Sequence, residues 1–134
     1  MEGVDFGADL ECGWDIDPMM VELHGDDPRI VTEACIRRLQ CPRGALLDDP
    51  DYGLDVREFL RQPIDRVMQA AIPSMISSEL LKDDRVKSVS VSVTSTGTAV
   101  DPRLELAITG TTDGPPFTLI AAITTDEVRM ELVR

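Results

Sequence analysis

Aromatic side chains are scarce in this chain: one Trp, one Tyr and three Phe among 134 residues, or 4%. The core therefore has to be built from Val, Ile, Leu, Met and Ala, and a 43% hydrophobic content supplies enough of them. Basic charge is also in deficit. Thirteen Lys and Arg face 25 Asp and Glu, for a formal net charge of −12. Such a field repels phosphate backbones, and no basic cluster offsets it, so direct nucleic-acid binding is not expected. It fits solubility, or docking on basic protein surfaces. No apolar run approaches ~18 residues, so no membrane span is expected. The start, Met-Glu-Gly-Val-Asp, lacks the basic and apolar regions of a signal peptide, so the protein is expected to stay where it is made. The cysteines, Cys12, Cys35 and Cys41, are odd in number and irregularly spaced. They describe no disulfide framework and contain no close CxxC pair for zinc, so free buried thiols and no metal or other cofactor are expected. The single histidine, His24, follows Leu23 in a polar stretch and reads as a solvated loop residue without a triad role.

What the chain does contain suits one α+β domain, with helices first and strands after. Residues 1–27 are acidic and read as largely irregular, with Leu10–Trp14 as a short extended stretch. Residues 28–134 read as a single domain. Asp27 followed by Pro28 is a helix start, and the apolar spacing of Ile30, Val31, Ala34, Cys35 and Leu39 carries a helix over 28–40. A short helix is expected over 54–60. A long one over 63–82 has Ile64, Val67, Met68, Ala71, Ile72, Met75, Ile76, Leu80 and Leu81 as its core stripe. Pro73 inside it predicts a kink or local break. The period then changes from 3.6 to 2. Alternating residues predict strands over 86–95, 103–110, 117–124 and 127–133, forming a mostly antiparallel sheet with helices on one face.

Between the first two helices lies Cys-Pro-Arg-Gly-Ala-Leu-Leu-Asp-Asp-Pro-Asp-Tyr-Gly, residues 41–53. Two prolines and two glycines in thirteen residues forbid regular structure, and loops of this length are usually functional or specially packed. Asp48, Asp49 and Asp51 invite two chemical readings. A glycosidase needs two carboxylates facing each other across a sugar cleft, and aromatic platforms are few here. A calcium loop needs a glycine and a terminal Glu at fixed positions, and both are missing. Carboxylates crowded around a proline more often build turns. A non-enzymatic protein is the expectation, with a murein hydrolase (a glycosidase) using paired carboxylates as the alternative.

The run from Arg38 to Gly53 resembles the signature of the baseplate wedge, or sheath-initiator, family of contractile phage tails. That family is also grouped as lysozyme-like baseplate wedge proteins, with relatives in contractile bacteriocins and type VI secretion baseplates. Gly44 fits the family's first loop glycine, and Pro50-Asp51-Tyr52-Gly53 fits its second turn, while Cys41 stands near the family's usual Thr. The family's Glu-Pro-Arg motif before the first strand is matched by Asp83-Asp84-Arg85, with Arg85 retained and Asp84 in place of the Pro. The resemblance implies a structural virion protein of the viral baseplate, assembled in the bacterial host cytoplasm and present in six copies. Its implied partners are wedge proteins, reached through Asp83 and Arg85, the first tail-sheath ring, and tail-tube proteins. It also implies that the terminal strand, Glu127, Val128, Arg129, Met130, Glu131, Leu132 and Val133, templates sheath strands by strand addition.

Overall fold

The computed structural model describes residues 5–10 and 22–133. Cys12 and most of the expected Leu10–Trp14 stretch lie outside the described residues. The elements are β1 (Ala8–Leu10), β2 (Glu22–His24), α1 (Pro28–Gln40), a 3-10 helix (Val56–Arg61), α2 (Arg66–Leu80), β3 (Ser88–Gly97), β4 (Pro102–Thr111), β5 (Phe117–Ile123) and β6 (Val128–Val133). The α+β class is as expected, and from α1 onward helices precede the sheet strands as expected.

Helix α1 starts where its cap requires. The Asp27 carboxylate accepts from the Arg29 N–H at 3.0 Å, and Pro28 occupies the first turn. Ile30, Val31, Cys35 and Leu39 are buried, making α1 a core helix. The N-terminal region departs from the irregular reading. β1 pairs antiparallel with β2, Phe6 and Leu23 enter the core, and the Phe6 N–H donates to Gly25 O at 2.7 Å. Three-residue strands are too short to leave a readable period, which is why composition alone missed them. His24 sits in β2, not in a turn, and its exposed ring lies 3.0 Å from the Glu22 carboxylate.

The short helix begins two residues later than expected because Asp55 caps it, accepting from the Arg57 N–H at 3.1 Å. Likewise α2 begins at Arg66 rather than Pro63, since Asp65 accepts from the Met68 N–H at 2.8 Å. The helix runs unbroken through Pro73. Its stripe is narrower than the sequence implied. Ile72, Ile76 and Leu80 are fully buried, each contributing about 2 kcal/mol. Ile64 and Met68 pack at its margin, whereas Val67, Met75 and Leu81 are exposed.

The four-stranded sheet is antiparallel in the order β3-β4-β5-β6. Its register aligns Val93, Leu106, Ala121 and Met130 across all four strands on the face that packs on the helices. The opposite face carries Ser90, Ser92, Glu105, Arg129 and Glu131. The first strand opens at Ser88 and not at residue 86, because the Val86 N–H turns back to Asp83 O at 3.0 Å.

Burial has a chemical consequence in α1. It pushes the Cys35 thiol up to about 12, with the Asp83 charge adding to the effect. An aromatic disulfide reagent is therefore expected to modify the half-buried Cys41 readily and Cys35 only as fast as the protein unfolds. Prompt native-state labelling of Cys35, read by peptide mass, would mean that α1 opens locally.

Candidate functional site

The loop from Cys41 to Gly53 is irregular, as its composition demands, and it contains two local turns. The Ala45 N–H donates to Pro42 O and the Tyr52 N–H to Asp49 O, both at 3.1 Å. Gly44 takes the positive φ, +90°, that the first of these turns needs. Most of the loop is exposed, but its end is buried and fastened. Gly53 has φ +102° and donates its N–H to Glu79 Oε1 at 2.7 Å. The following Leu54 N–H donates to Arg38 O at 2.9 Å.

Glu79 is the hub of this arrangement. Its side chain is fully buried and lies 2.8 Å from Lys82 Nζ, 3.0 Å from an Arg43 amine and 3.3 Å from an Arg38 amine. Burial pushes its pKa up. The Lys82 contact, the Gly53 N–H and Arg43 together outweigh that and hold the carboxyl below the usual glutamate range. The same cations reach the loop backbone: Arg43 donates to Gly53 O at 3.1 Å and Lys82 to Asp51 O at 2.6 Å. Arg38 also lies 4.5 Å over the Tyr52 ring, a cation–π contact. Burial raises the Tyr52 pKa against the opposing charge of Arg38. Tyr52 is thus held through its ring, Gly53 through its backbone N–H and carbonyl, and Asp51 through its carbonyl.

The junction after α2 is a second ion-paired unit. Arg85 donates to Asp83 in a bidentate fork, at 2.9 and 2.6 Å, and its own N–H adds a third bond at 3.0 Å. A further guanidinium N–H reaches Phe6 O at 3.4 Å. Burial raises the Asp83 pKa, but the Arg85 bonds reverse this, leaving the carboxyl below its ordinary value. The two residues expected to face a neighbour are therefore already paired to each other, and they tie the N-terminal hairpin to the sheet. Arg38 joins the two units, since its charge acts on Asp83 as well as on Glu79.

Among the described residues, the carboxylates of the loop and of the groups that fasten it do not form a general-acid arrangement. Asp48, Asp49 and Asp51 are exposed on the loop. The buried Asp55 and Glu79 are held ionised by cations, the opposite of the raised pKa that a proton-donating acid needs. Among the described residues no group of His, Cys, Asp and Glu could hold a metal ion.

Strand β6 is the outer strand beside β5. The Thr124 N–H donates to Glu127 O at 2.9 Å, closing the β5–β6 hairpin. Hydrogen-bonded pairs therefore continue at Ala122–Arg129 and Ile120–Glu131, and the N–H and C=O groups of Val128, Met130 and Leu132 point away from the sheet.

Sequence reasoning had located the loop and the junction but missed Glu79, Arg38, Arg43 and Lys82, which join them. A signal for Glu79 existed. It lies seven residues after Ile72 and three after Ile76, in the phase of the buried stripe. No family model and no curated protein matches the chain.

Proposed function

We propose that this protein is a structural component of a contractile-tail baseplate, joining wedge proteins around the tube and templating the first sheath ring by strand addition. The supporting observation is convergence. Of the residues that carry the resemblance, Asp51, Tyr52 and Gly53 meet on one framework built by Arg38, Arg43, Glu79 and Lys82. A loop fixed this way offers wedge partners a surface whose ordering cost is met within the fold. On β6, the outward backbone groups of Val128, Met130 and Leu132 are the pairing edge for a sheath strand. Glu127, Arg129 and Glu131 alternate along that strand and select a partner with complementary charge.

The test is Leu132→Pro. The Leu132 N–H points away from β5, so proline removes an outward donor and leaves the β5–β6 ladder intact. The variant is expected to fold and to enter baseplates of the parent particle, which then carry bare tubes in electron micrographs. Normal sheathed tails would overturn strand addition at β6.

A further inference from the structure

The sheet has a second outer strand, β3, and its edge is built differently from that of β6. Ten residues, Ser-Val-Ser-Val-Ser-Val-Thr-Ser-Thr-Gly, contain no charge and no proline, the usual devices that keep a free edge from pairing. Its core-facing residues are also incompletely covered. Val89, Val91 and Val93 are all only half-buried, whereas on β6 Val128 and Met130 are buried and Leu132 alone is half-buried.

The direction of the backbone groups follows from the β3–β4 hairpin. The Thr98 N–H donates to Asp101 O at 3.1 Å, so hydrogen-bonded pairs fall at Thr96–Arg103, Thr94–Glu105 and Ser92–Ala107. Pro102, which has no N–H, falls in a non-bonded pair with Gly97, as this phase requires. The groups of Val89, Val91, Val93 and Ser95 thus point outward. The Val89 carbonyl already has a partner on α2, the Ser77 hydroxyl, at 3.4 Å. Beyond it, the described residues place no strand beside Val91, Val93 and Ser95.

Just there the surface opens into a groove of about 520 Å³, lined by Leu60, Pro63 and Ile64 on one side and by Ser95, Thr96 and Gly97 on the other. Ser95 and Gly97 share the core-facing side with the valines, and their small side chains leave the apolar wall of Leu60, Pro63 and Ile64 unfilled.

We infer that the β3 edge is a second strand-pairing site, which takes an extended segment of a partner protein. That segment has uncharged β-branched residues opposite Val91 and Val93 and one bulky apolar side chain, opposite Ser95, that fills the groove. The occupant is a different protein and not a second copy, because a copy would bring a second net charge of −12 against the first. The inference stands on the β3 edge alone and does not depend on the baseplate reading.

Amide exchange on the full-length 15N-labelled protein tests it first. The Val91, Val93 and Ser95 amides are expected to exchange roughly 100-fold faster than those of Ser92 and Thr94, which donate to β4. The probe is then a nine-residue synthetic peptide alternating Thr with Val, with one Leu in its second half and Lys at both ends. Its addition should protect those three amides and shift the resonances of Leu60 and Ile64. Ser95→Pro removes an outward N–H without touching the β4 ladder and should weaken peptide binding by about tenfold or more. Protection of the three amides in the free protein would overturn the inference, as would no binding, or binding mapped to Val128, Met130 and Leu132. A concentration-dependent dimer in sedimentation that protects the same amides would overturn the assigned occupant.

Discussion

Glu79→Ala is expected to cost about 3 kcal/mol of unfolding free energy, and to lower the melting temperature by about 10 °C. A glutamate at the end of an exposed helix would cost within about 0.5 kcal/mol, so the two outcomes are well separated. The size comes from what is left behind. Arg43 and Lys82 are 55% and 39% exposed and recover water when the carboxylate goes. Arg38, 15% exposed, and the buried Gly53 N–H do not. A buried donor without a partner alone costs about 1–3 kcal/mol. The pH dependence has a definite sign. The folded-state pKa of Glu79 lies below the ordinary 4.5, so the stability it supplies is complete above that value. It is lost as the pH falls through the lower folded-state pKa. Denaturant midpoints measured downward from neutral pH should therefore fall less steeply in Glu79→Gln than in the parent protein. The remaining slope comes from Asp55 and Asp83, whose pKa values are also lowered. Equal slopes in the two proteins would mean that the carboxylate is not held ionised by this cluster.

How much of this was legible in the sequence follows from which forces leave a local mark. Alternation leaves one. Val89-Val91-Val93, Leu104-Leu106-Ile108 and Leu119-Ala121-Ile123 all face the core, and the strands lie within two residues of where the period placed them. Caps leave one too, although two Asp residues won over the flanking signals: Asp65 set the start of α2 against Pro63, and Asp55 set the start of the 3-10 helix. The length of the apolar stripe was misleading. Val67, Met75 and Leu81 follow the spacing, but the sheet covers only an arc centred on Ile72, Ile76 and Leu80. Tertiary ion pairing leaves the least trace. Arg38, Arg43 and Lys82 look like ordinary surface cations until the chain brings them within reach of Glu79, up to 41 residues away. The loop's composition announced that it was special, yet not what holds it. The Asp83–Arg85 unit stood out only through the resemblance, and its bond to Phe6 O, 79 residues away, could not be foreseen.

Gly53→Ala should be about as damaging as Glu79→Ala, for a reason that is steric at its origin. At φ +102° an alanine is strained by about 1–3 kcal/mol. Its Cβ would in addition overlap the backbone carbonyl oxygen of Cys41, with the carbonyl carbon only 3.1 Å away. A backbone atom at the end of a core helix cannot swing aside as a flexible side chain would. The loop has to move instead, and its movement breaks the Gly53 N–H bond to Glu79. Gly44 provides the control. It too has positive φ, but nothing lies within 4 Å of an added Cβ, so Gly44→Ala isolates the conformational strain and should cost only about 1 kcal/mol. Because Gly53 and Glu79 act through one assembly, the double variant should cost well under the sum of the single ones. Tyr52, the sole tyrosine, reports on the loop directly. Its pKa is raised by burial in the native protein and should return toward 10.0 in Gly53→Ala, read from tyrosinate absorbance. A raised Tyr52 titration that survives the substitution, together with unchanged stability, would mean that the loop is held without Gly53. Under the proposed baseplate role, a loop that lets go while the core persists should also stop recognising wedge partners, which separates the loop's role in presentation from its role in folding.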